Sequence, residues 1–153
     1  PVKPGLSIKV YSHLLGECGV SFCAVASLTT GLQPGFPRSL HGAPMLLPTS
    51  MSALRGHLDQ WFTSQGIRPR VIGEFDDRAL IKVFGQAGDG VFVVPTIIEE
   101  EVCRRHGVTV IGRSETVRER FYAISVERVI KHPAVVAIRD AAWGGREGWK
   151  TPL

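Results

Sequence analysis

The sequence predicts an α/β domain with a mainly parallel sheet, and two observations lead to this prediction. Between residues 45 and 111, short apolar runs alternate with segments whose apolar residues recur at helical spacing, which is the strand–helix order of such a sheet. Apolar residues form 44% of the chain and charged residues 21%, close to the averages for soluble globular domains. The 153 residues are therefore expected to bury one domain-sized core.

Before residue 49, the chain predicts three strands and one long connection. Residues 8–11 and 19–25 are typical of strands, and the second run is apolar enough to be largely buried. Residues 27–44 contain several prolines and glycines and predict a turn-rich connection. The apolar run at 45–48 predicts a short buried strand.

The first helix is predicted to follow that strand. Thr49 or Ser50 would cap it and Gly66 would end it, because hydroxyl side chains favour the start of a helix and glycine its end. Its core-facing stripe consists of four residues at helical spacing: Leu54, Leu58, Trp61 and Phe62. Residues 69–75 predict the next strand.

A second helix is predicted after this strand, with Asp76 or Asp77 as its cap and its end within residues 85–90. Three apolar residues of this helix are expected to face the core: Leu80, Val83 and Phe84. The continuous apolar run at 91–94 is typical of a strand that is buried on both faces.

The third helix carries the strongest terminal signals. Residues 96–99 have the pattern of a capping box, acidic residues fill the first turn, basic residues fill the last turn, and Gly107 follows. Strands are predicted at 108–111 and 121–126, and Pro133 after His132 opens a last helix.

Charge and hydropathy exclude several classes of protein. The net charge of +4 comes from basic residues that are scattered rather than collected on one element with aromatic residues, so this chain is not expected to bind nucleic acid itself. No apolar run approaches the roughly 18 residues of a membrane-spanning helix, and no leader peptide opens the chain. The chain starts in Pro/Gly-rich sequence without an initiator methionine, which predicts the middle of a longer protein.

The three cysteines are Cys18, Cys23 and Cys103, and they lack the spacing of metal ligands. A sparse, odd set suits the reducing cytoplasm, where buried and unreactive thiols are expected. Neither a metal nor a cofactor is expected from the sequence.

Ligands of such sheets bind where strands end and helices begin. Three junctions of this kind are predicted, at Pro48/Thr49–Ser50, at Phe75/Asp76–Asp77 and at Pro95/Thr96. Because the carboxyl ends of parallel strands share one edge, the three junctions are expected to converge there. This edge is the predicted ligand site.

Several blocks of the sequence resemble the effector-binding domain of LysR-type transcriptional regulators, and within that family the regulators of sodium/proton antiporter genes. The resemblance covers residues 16–138, and its blocks are Gly16–Phe22, Trp61–Gly66, Gly73–Leu80, Tyr122–Ile124 and His132–Val135. The segment 27–44 shares little with the family beyond its turns.

The resemblance implies a fold like type 2 periplasmic binding proteins, with two α/β subdomains joined by crossing strands. Residues 20–118 would be one complete subdomain. Residues 1–19 and 119–142 would hold the two crossover strands and a remnant of the other subdomain, and 143–153 would be a flexible tail. The DNA-binding domain and half of the effector cleft would lie outside this chain.

The same resemblance implies the partners. A small effector or ion, with sodium as the family's example, would bind in the cleft between subdomains. The full-length protein would be a homodimer or tetramer, and it would touch DNA only through its N-terminal domain.

Thr49, Ser50 and Met51 have two interpretations of similar weight. A helix N-terminus with free N–H groups favours a polar or anionic effector, and the family places effector contacts there, whereas simple helix capping also explains these residues. Glu17 and Ser125 are further effector candidates, by their position on or beside the crossover strands.

Glu74, Asp76 and Asp77 surround one strand-to-helix turn. Hard cations prefer several carboxylate oxygens, so a sodium-responsive protein has a use for them. Helix capping is the favoured interpretation, because aspartate before a helix is a good cap and sodium binds carboxylates weakly in water.

No set of catalytic residues is found. The glycine-containing turn at 86–90 runs from helix to strand, the reverse of a nucleotide-binding loop. Cys103 and His106 lie on a polar helix end without an acid or oxyanion partner. The chain is therefore predicted not to be an enzyme, and the alternative to a regulator is a solute-binding module of a transport system with the same fold.

Overall fold

The computed structural model describes residues 9–126 and Pro133, and they fall into two units. Unit 2 is the continuous segment Cys18–Glu119, and unit 1 is formed by the chain up to Glu17 and from Arg120 onward. The predicted bounds of the complete subdomain, 20–118, remain a prediction. The predicted helix that Pro133 opens, the preceding His132 and the tail 143–153 lie outside the described residues, apart from Pro133 itself.

Strands and helices alternate along unit 2, as predicted. The elements in chain order are β1 (Tyr11–Ala24), α1 (Ala26–Leu32), a 3-10 helix (Arg38–Leu40), β2 (Pro44–Pro48), α2 (Ala53–Gln65), β3 (Arg70–Phe75), α3 (Arg78–Gln86), β4 (Phe92–Pro95), a second 3-10 helix (Thr96–Ile98), α4 (Glu99–His106) and β5 (Thr109–Ser125).

Two long strands replace four predicted short ones. The predicted strands at 8–11 and 19–25 give way to β1, which spans 14 residues, and those at 108–111 and 121–126 belong to β5, which spans 17. The polar stretch within β5 resembles a loop in the sequence. It stays extended because alternate residues are buried, while the charged side chains between them form ion pairs.

The predicted turn-rich connection at 27–44 is correct only in its later part, because α1 (Ala26–Leu32) occupies its start. The hydroxyl groups of Thr29 and Thr30 donate hydrogen bonds to the carbonyls of Ala24 and Ala26, at 3.2 and 2.9 Å. Leu28 and Leu32 pack against the main core. Apolar contact thus stabilises a helix that propensity alone does not favour.

The sheets combine parallel and antiparallel pairs. β2 pairs with β3 in parallel, and a parallel bridge joins Met45 to Val91, just before β4. The other sheet has the order β4-β1-β5, and its β1–β4 pair is antiparallel, with Val20 opposite Pro95. The predicted parallel arrangement therefore holds for β2, β3 and the bridge, but not for β1.

The core of unit 2 confirms the predicted stripe of α2. Leu54, Leu58, Trp61 and Phe62 are all buried. The Phe22 ring stacks on Trp61 with 5.2 Å between centroids, and Gly66 ends α2 in the left-handed conformation as predicted. These contacts hold α2 against β1 and so position the start of α2 beside the end of β2.

The predicted inward face of α3 is wrong. Ile81 and Gly85 are buried, whereas Leu80, Val83 and Phe84 are 45%, 56% and 41% exposed. Gly85 can face the core because it has no side chain, whereas a Cβ atom there would collide with the ring of Phe92. The close helix–strand contact sets the rotation of α3, and its apolar stripe faces outward.

Within the described part of the chain, no helix is both long and apolar enough to cross a membrane.

Candidate functional site

The first two predicted junctions are in direct contact. The Thr49 hydroxyl donates a hydrogen bond of 2.6 Å to the Asp76 carboxylate, and the Thr49 N–H donates one of 3.1 Å to the Phe75 carbonyl. Parallel pairing of Pro48 with Phe75 brings these turns to the same edge. The junction after β2 and the junction after β3 therefore form one polar surface.

The predicted caps of α2 are wrong. The helix begins at Ala53 with Ser52 at its N-cap position, and among the described residues no side chain caps it. Thr49 is instead engaged with Asp76, and residues 50–52 form the turn before the helix. Ser50 is exposed and Met51 is 91% exposed, so both remain effector candidates by position only.

The cap of α3 is Asp77, one of the two predicted alternatives. Its carboxylate accepts a hydrogen bond of 2.8 Å from the N–H of Ala79. Glu74 forms an ion pair of 3.5 Å with Arg55. Helix capping thus explains Asp77, and each acidic residue of this turn has a protein partner.

The third junction lies near a buried carboxylate that the sequence analysis missed. Thr96 begins the 3-10 helix after β4, and its hydroxyl faces the sulfur of Cys18 on β1. Burial raises the pKa of the Cys18 thiol, and the neighbouring charge of Glu119 raises it further. Glu119 in turn forms an ion pair with Arg78, the first residue of α3. Cys18 and Glu119 therefore connect the third junction to the second.

Two oxygen atoms of this cluster are buried without a hydrogen-bond partner of normal geometry among residues 9–126. They are the Thr96 hydroxyl oxygen and the Oε2 atom of Glu119. Glu119 is only 7% exposed, and Arg78 contacts its other carboxylate oxygen. A buried polar atom without a partner costs about 1–3 kcal/mol, so such atoms point to a missing donor.

The predicted capping box of α4 is wrong. The helix begins at Glu99, and Thr96 and Glu99 do not bond each other's backbone in the described structure. Glu99 instead accepts hydrogen bonds from Ser21 and Arg113. Burial alone would raise the pKa of Glu99, but the bonds from Arg113 and Ser21 outweigh it and lower that pKa. The acidic first turn, the basic last turn and the end of the helix at Gly107 are as predicted, and Gly107 is left-handed.

Glu17 and Ser125 belong to unit 1, where both are engaged. Arg120 donates a hydrogen bond of 3.1 Å to Glu17. His13 of β1 has its Nε2 atom 3.1 Å from the Ser125 hydroxyl. Both pairs link β1 to β5 within unit 1. The role of both residues as effector contacts remains a prediction.

The described residues contain no cluster of three or more histidine, cysteine, aspartate or glutamate side chains that could hold a metal ion.

Glu119 could have been found from a signal in the sequence. Val117, Glu119 and Phe121 share one face of an extended strand, because side chains alternate along it, and Val117 is buried. A charged residue that follows a buried valine at a spacing of two is a candidate for burial. Arg78 carries no such signal, since its partner depends on the fold.

A sequence profile of the LysR substrate binding domain matches residues 9–144. The transcriptional activator protein NhaR of Escherichia coli (strain K12) is 40% identical over 129 residues, which are 84% of this chain and 42% of NhaR. NhaR of Shigella flexneri gives the same values. This chain thus spans less than half the length of the curated relatives that it matches.

Solved structures share the fold. An effector-binding domain of Citrobacter freundii with three substitutions has a TM-score of 0.61 at 16% identity, covering 92% of this chain and 70% of that one. The effector domain of the regulator AmpR of Pseudomonas aeruginosa has 0.61 at 19%, covering 87% and 62%. The regulatory domain of CcmR of Synechocystis, in complex with 2-PG, has 0.60 at 15%, covering 92% and 68%. These similarities confirm the predicted fold class.

Proposed function

Because the chain belongs to the LysR substrate-binding domain family, we propose that it is the effector-sensing part of a transcriptional activator that controls a sodium/proton antiporter gene in response to sodium. Such a regulator acts in the cytoplasm and is not an enzyme. DNA would be bound by another part of the longer protein, in line with the scattered basic residues of this chain.

One observation carries the location of the effector contacts. The buried Oε2 of Glu119 has no hydrogen-bond partner among the described residues, and the buried hydroxyl of Thr96 faces only the Cys18 sulfur. An effector that supplies hydrogen-bond donors or positive charge would satisfy both atoms. We propose that these side chains form part of the effector site.

A hydrated cation meets this requirement. Its charge attracts the Glu119 carboxylate, and its bound water molecules donate hydrogen bonds. Arg78 already neutralises the other oxygen of Glu119, but the side chain of Arg78 is 48% exposed. Exchange of Arg78 for a cation would alter the start of α3, and a difference in affinity between two such states is what shifts a regulator's conformation.

The test uses the intact regulator that contains this chain. Transcription from its promoter is measured while sodium is raised and potassium is lowered at constant ionic strength. A rise in transcription with sodium is expected, and a flat response would contradict the proposed function.

Two variants then locate the site. Glu119→Gln keeps the size of the side chain but removes its charge, so the sodium response should weaken or shift to higher concentration. Glu100→Gln makes the same change at an exposed position of α4 and should respond like the wild type. An unchanged response in Glu119→Gln, with the wild type responding, would remove Glu119 from the site and leave the function intact.

Self-association is the second part of the proposal, and the outward face of α3 supports it. Leu80, Val83 and Phe84 on α3 lie exposed, as do Val71 and Ile72 on β3. Contiguous exposed apolar side chains mark interaction surfaces in soluble proteins, and most soluble oligomers join identical copies. We therefore propose that a second copy of the protein covers this face.

The mass of the protein in solution tests this part. Val83→Glu should shift the protein from dimer to monomer in sedimentation, because a buried interface does not tolerate an unpaired charge. Gln60→Glu introduces the same charge on the exposed side of α2 and should leave the dimer intact. Equal masses for the two variants would place self-association elsewhere.

A further inference from the structure

Two cysteines from distant parts of the chain meet inside unit 2. Cys23 lies near the end of β1 and is completely buried, and Cys103 lies on α4 and packs against the same apolar cluster. Cys23 and Cys103 are close enough for each thiol to shift the pKa of the other. The two sulfur atoms are therefore neighbours although about 80 residues separate them in sequence.

The two sulfurs differ in accessibility. Cys103 is partly exposed, whereas Cys23 is shielded by its neighbours in the core. Of the two thiols, Cys103 is also the one whose pKa its neighbour lowers, although burial outweighs this effect. In this arrangement the accessible Cys103 would react first with an oxidant. The shielded Cys23 would then react with the oxidised Cys103 to form a disulfide.

Cys18 is a natural control on the same strand. It is as buried as Cys23, but its sulfur faces Thr96 and Ile97 instead of a second thiol. Burial predicts the same low accessibility for both residues, so any difference in their chemistry must come from the neighbour.

We propose that Cys23 and Cys103 are a modification site that closes to an intramolecular disulfide when a two-electron oxidant, a peroxide, reaches Cys103. This site is separate from the proposed effector contacts and does not depend on them.

The chemistry balances in two steps. The Cys103 thiolate attacks one oxygen of hydrogen peroxide, which gives a Cys103 sulfenic acid and hydroxide, and the hydroxide takes up the thiol proton as water. The Cys23 sulfur then attacks the Cys103 sulfur, the sulfur–oxygen bond breaks, and the second oxygen leaves as water with the Cys23 proton. The two sulfurs lose two electrons, and the peroxide is reduced to two molecules of water.

The surroundings set the conditions for the reaction. Burial raises the pKa of the Cys103 thiol, and the nearby Glu99 carboxylate adds to this effect while Arg113 opposes it. Burial likewise raises the pKa of Cys23 well above its ordinary value. Both groups are thus protonated thiols at neutral pH, and the rate of closure should rise as the pH is raised from neutral toward the ordinary thiol pKa.

The experiment uses the purified 153-residue protein, treated with hydrogen peroxide or with the thiol oxidant diamide. After denaturation, free thiols are labelled with a maleimide, and intact mass and peptide mapping follow. The reduced wild type should take up three labels, one for each cysteine, and the oxidised wild type one label, on Cys18. Its unlabelled mass should fall by about 2 Da for the two hydrogens lost, and a reducing agent should restore all labels.

The variants separate a specific pair from general oxidation. Cys18→Ser should still form the disulfide, whereas Cys103→Ser should form none and should keep both remaining thiols for labelling. Cys103→Ser changes a partly exposed position, so its fold can be verified by its melting transition even where Cys23→Ser disturbs the core.

Three outcomes would overturn the inference. One is a wild type that keeps three free thiols after complete consumption of diamide. Another is a cross-link that contains Cys18. The third is a disulfide found only between two molecules, with a yield that falls on dilution.

Discussion

The substitution Gly85→Ala should destabilise this protein, although replacing glycine by alanine inside a helix usually stabilises the helix. Gly85 is buried near the end of α3, and a Cβ atom there would lie 3.2 Å from Cγ of Phe92 and closer still to two other ring carbons. Phe92 is itself completely buried, so its ring has little room to retreat. Overpacking of this kind costs about 1–3 kcal/mol.

Gly56 is the matched control for this substitution. It lies in α2, it is exposed, and a Cβ atom there would have no neighbour within 4 Å. Alanine is favoured over glycine inside a helix by roughly 1 kcal/mol, and this gain is common to both sites. Gly85→Ala should therefore be less stable than Gly56→Ala by about 1–3 kcal/mol, the overpacking term alone.

Urea unfolding of the two variants and the wild type measures the difference. Gly56→Ala should unfold at a higher urea concentration than the wild type, and Gly85→Ala at a lower one. The double variant Gly85→Ala/Phe92→Leu should recover part of the loss, because the smaller side chain makes room for the methyl group. Equal midpoints for the two alanine variants would refute the argument that the Phe92 contact fixes the rotation of α3.

Three further outcomes are expected from the described contacts. Leu58→Ala empties a fully buried position in the main core and should cost about 2–5 kcal/mol in urea unfolding. Asp77→Ala removes the cap of α3 and should cost about 0.5–2 kcal/mol, measured by thermal unfolding. Glu99 has a pKa below its ordinary value of 4.5 in the folded state, so its contribution is complete above that pH and is lost as pH falls through the lower folded pKa. Glu99→Gln should therefore flatten the acid limb of stability against pH, and a limb of unchanged slope would show that the bonds from Ser21 and Arg113 contribute nothing.

The sequence predicted correctly those helix ends and helix faces that depend only on residues close by in the chain. The apolar stripe of α2, its end at Gly66 and the cap at Asp77 follow from rules that act within one or two turns. The parallel pairing of β2 with β3 follows from the alternation of strands and helices.

Features that depend on distant neighbours were missed. Residue spacing shows that Leu80, Val83 and Phe84 share one face of α3, but it does not show whether this face meets the core or the outside. Gly85 and Phe92 decide the orientation of the helix, because the Phe92 ring packs in the space that a side chain at residue 85 would fill. A sequence rule treats that glycine only as the end of a helix.

The candidate site shows the same division. Thr49 and Asp76 were recognised as polar residues at strand ends, yet their hydrogen bond to each other was not foreseen, since capping explained each of them separately. Glu119 was overlooked within a run of charged residues, where exposure is the usual expectation. Its burial depends on Arg78, which lies 41 positions earlier in the chain.

The bridge between Met45 and Val91 has a consequence for how the protein opens. The Leu46 N–H donates to the Val91 carbonyl and the Val91 N–H donates to the Pro44 carbonyl, both at 2.8 Å. Leu46 and Val91 are buried, so these amides should exchange their hydrogens with solvent only when the β2–β3 pair detaches from the strands around β1. Exchange at the two sites should therefore occur together and as slowly as anywhere in unit 2, which would make the two sheets a single cooperative folding unit.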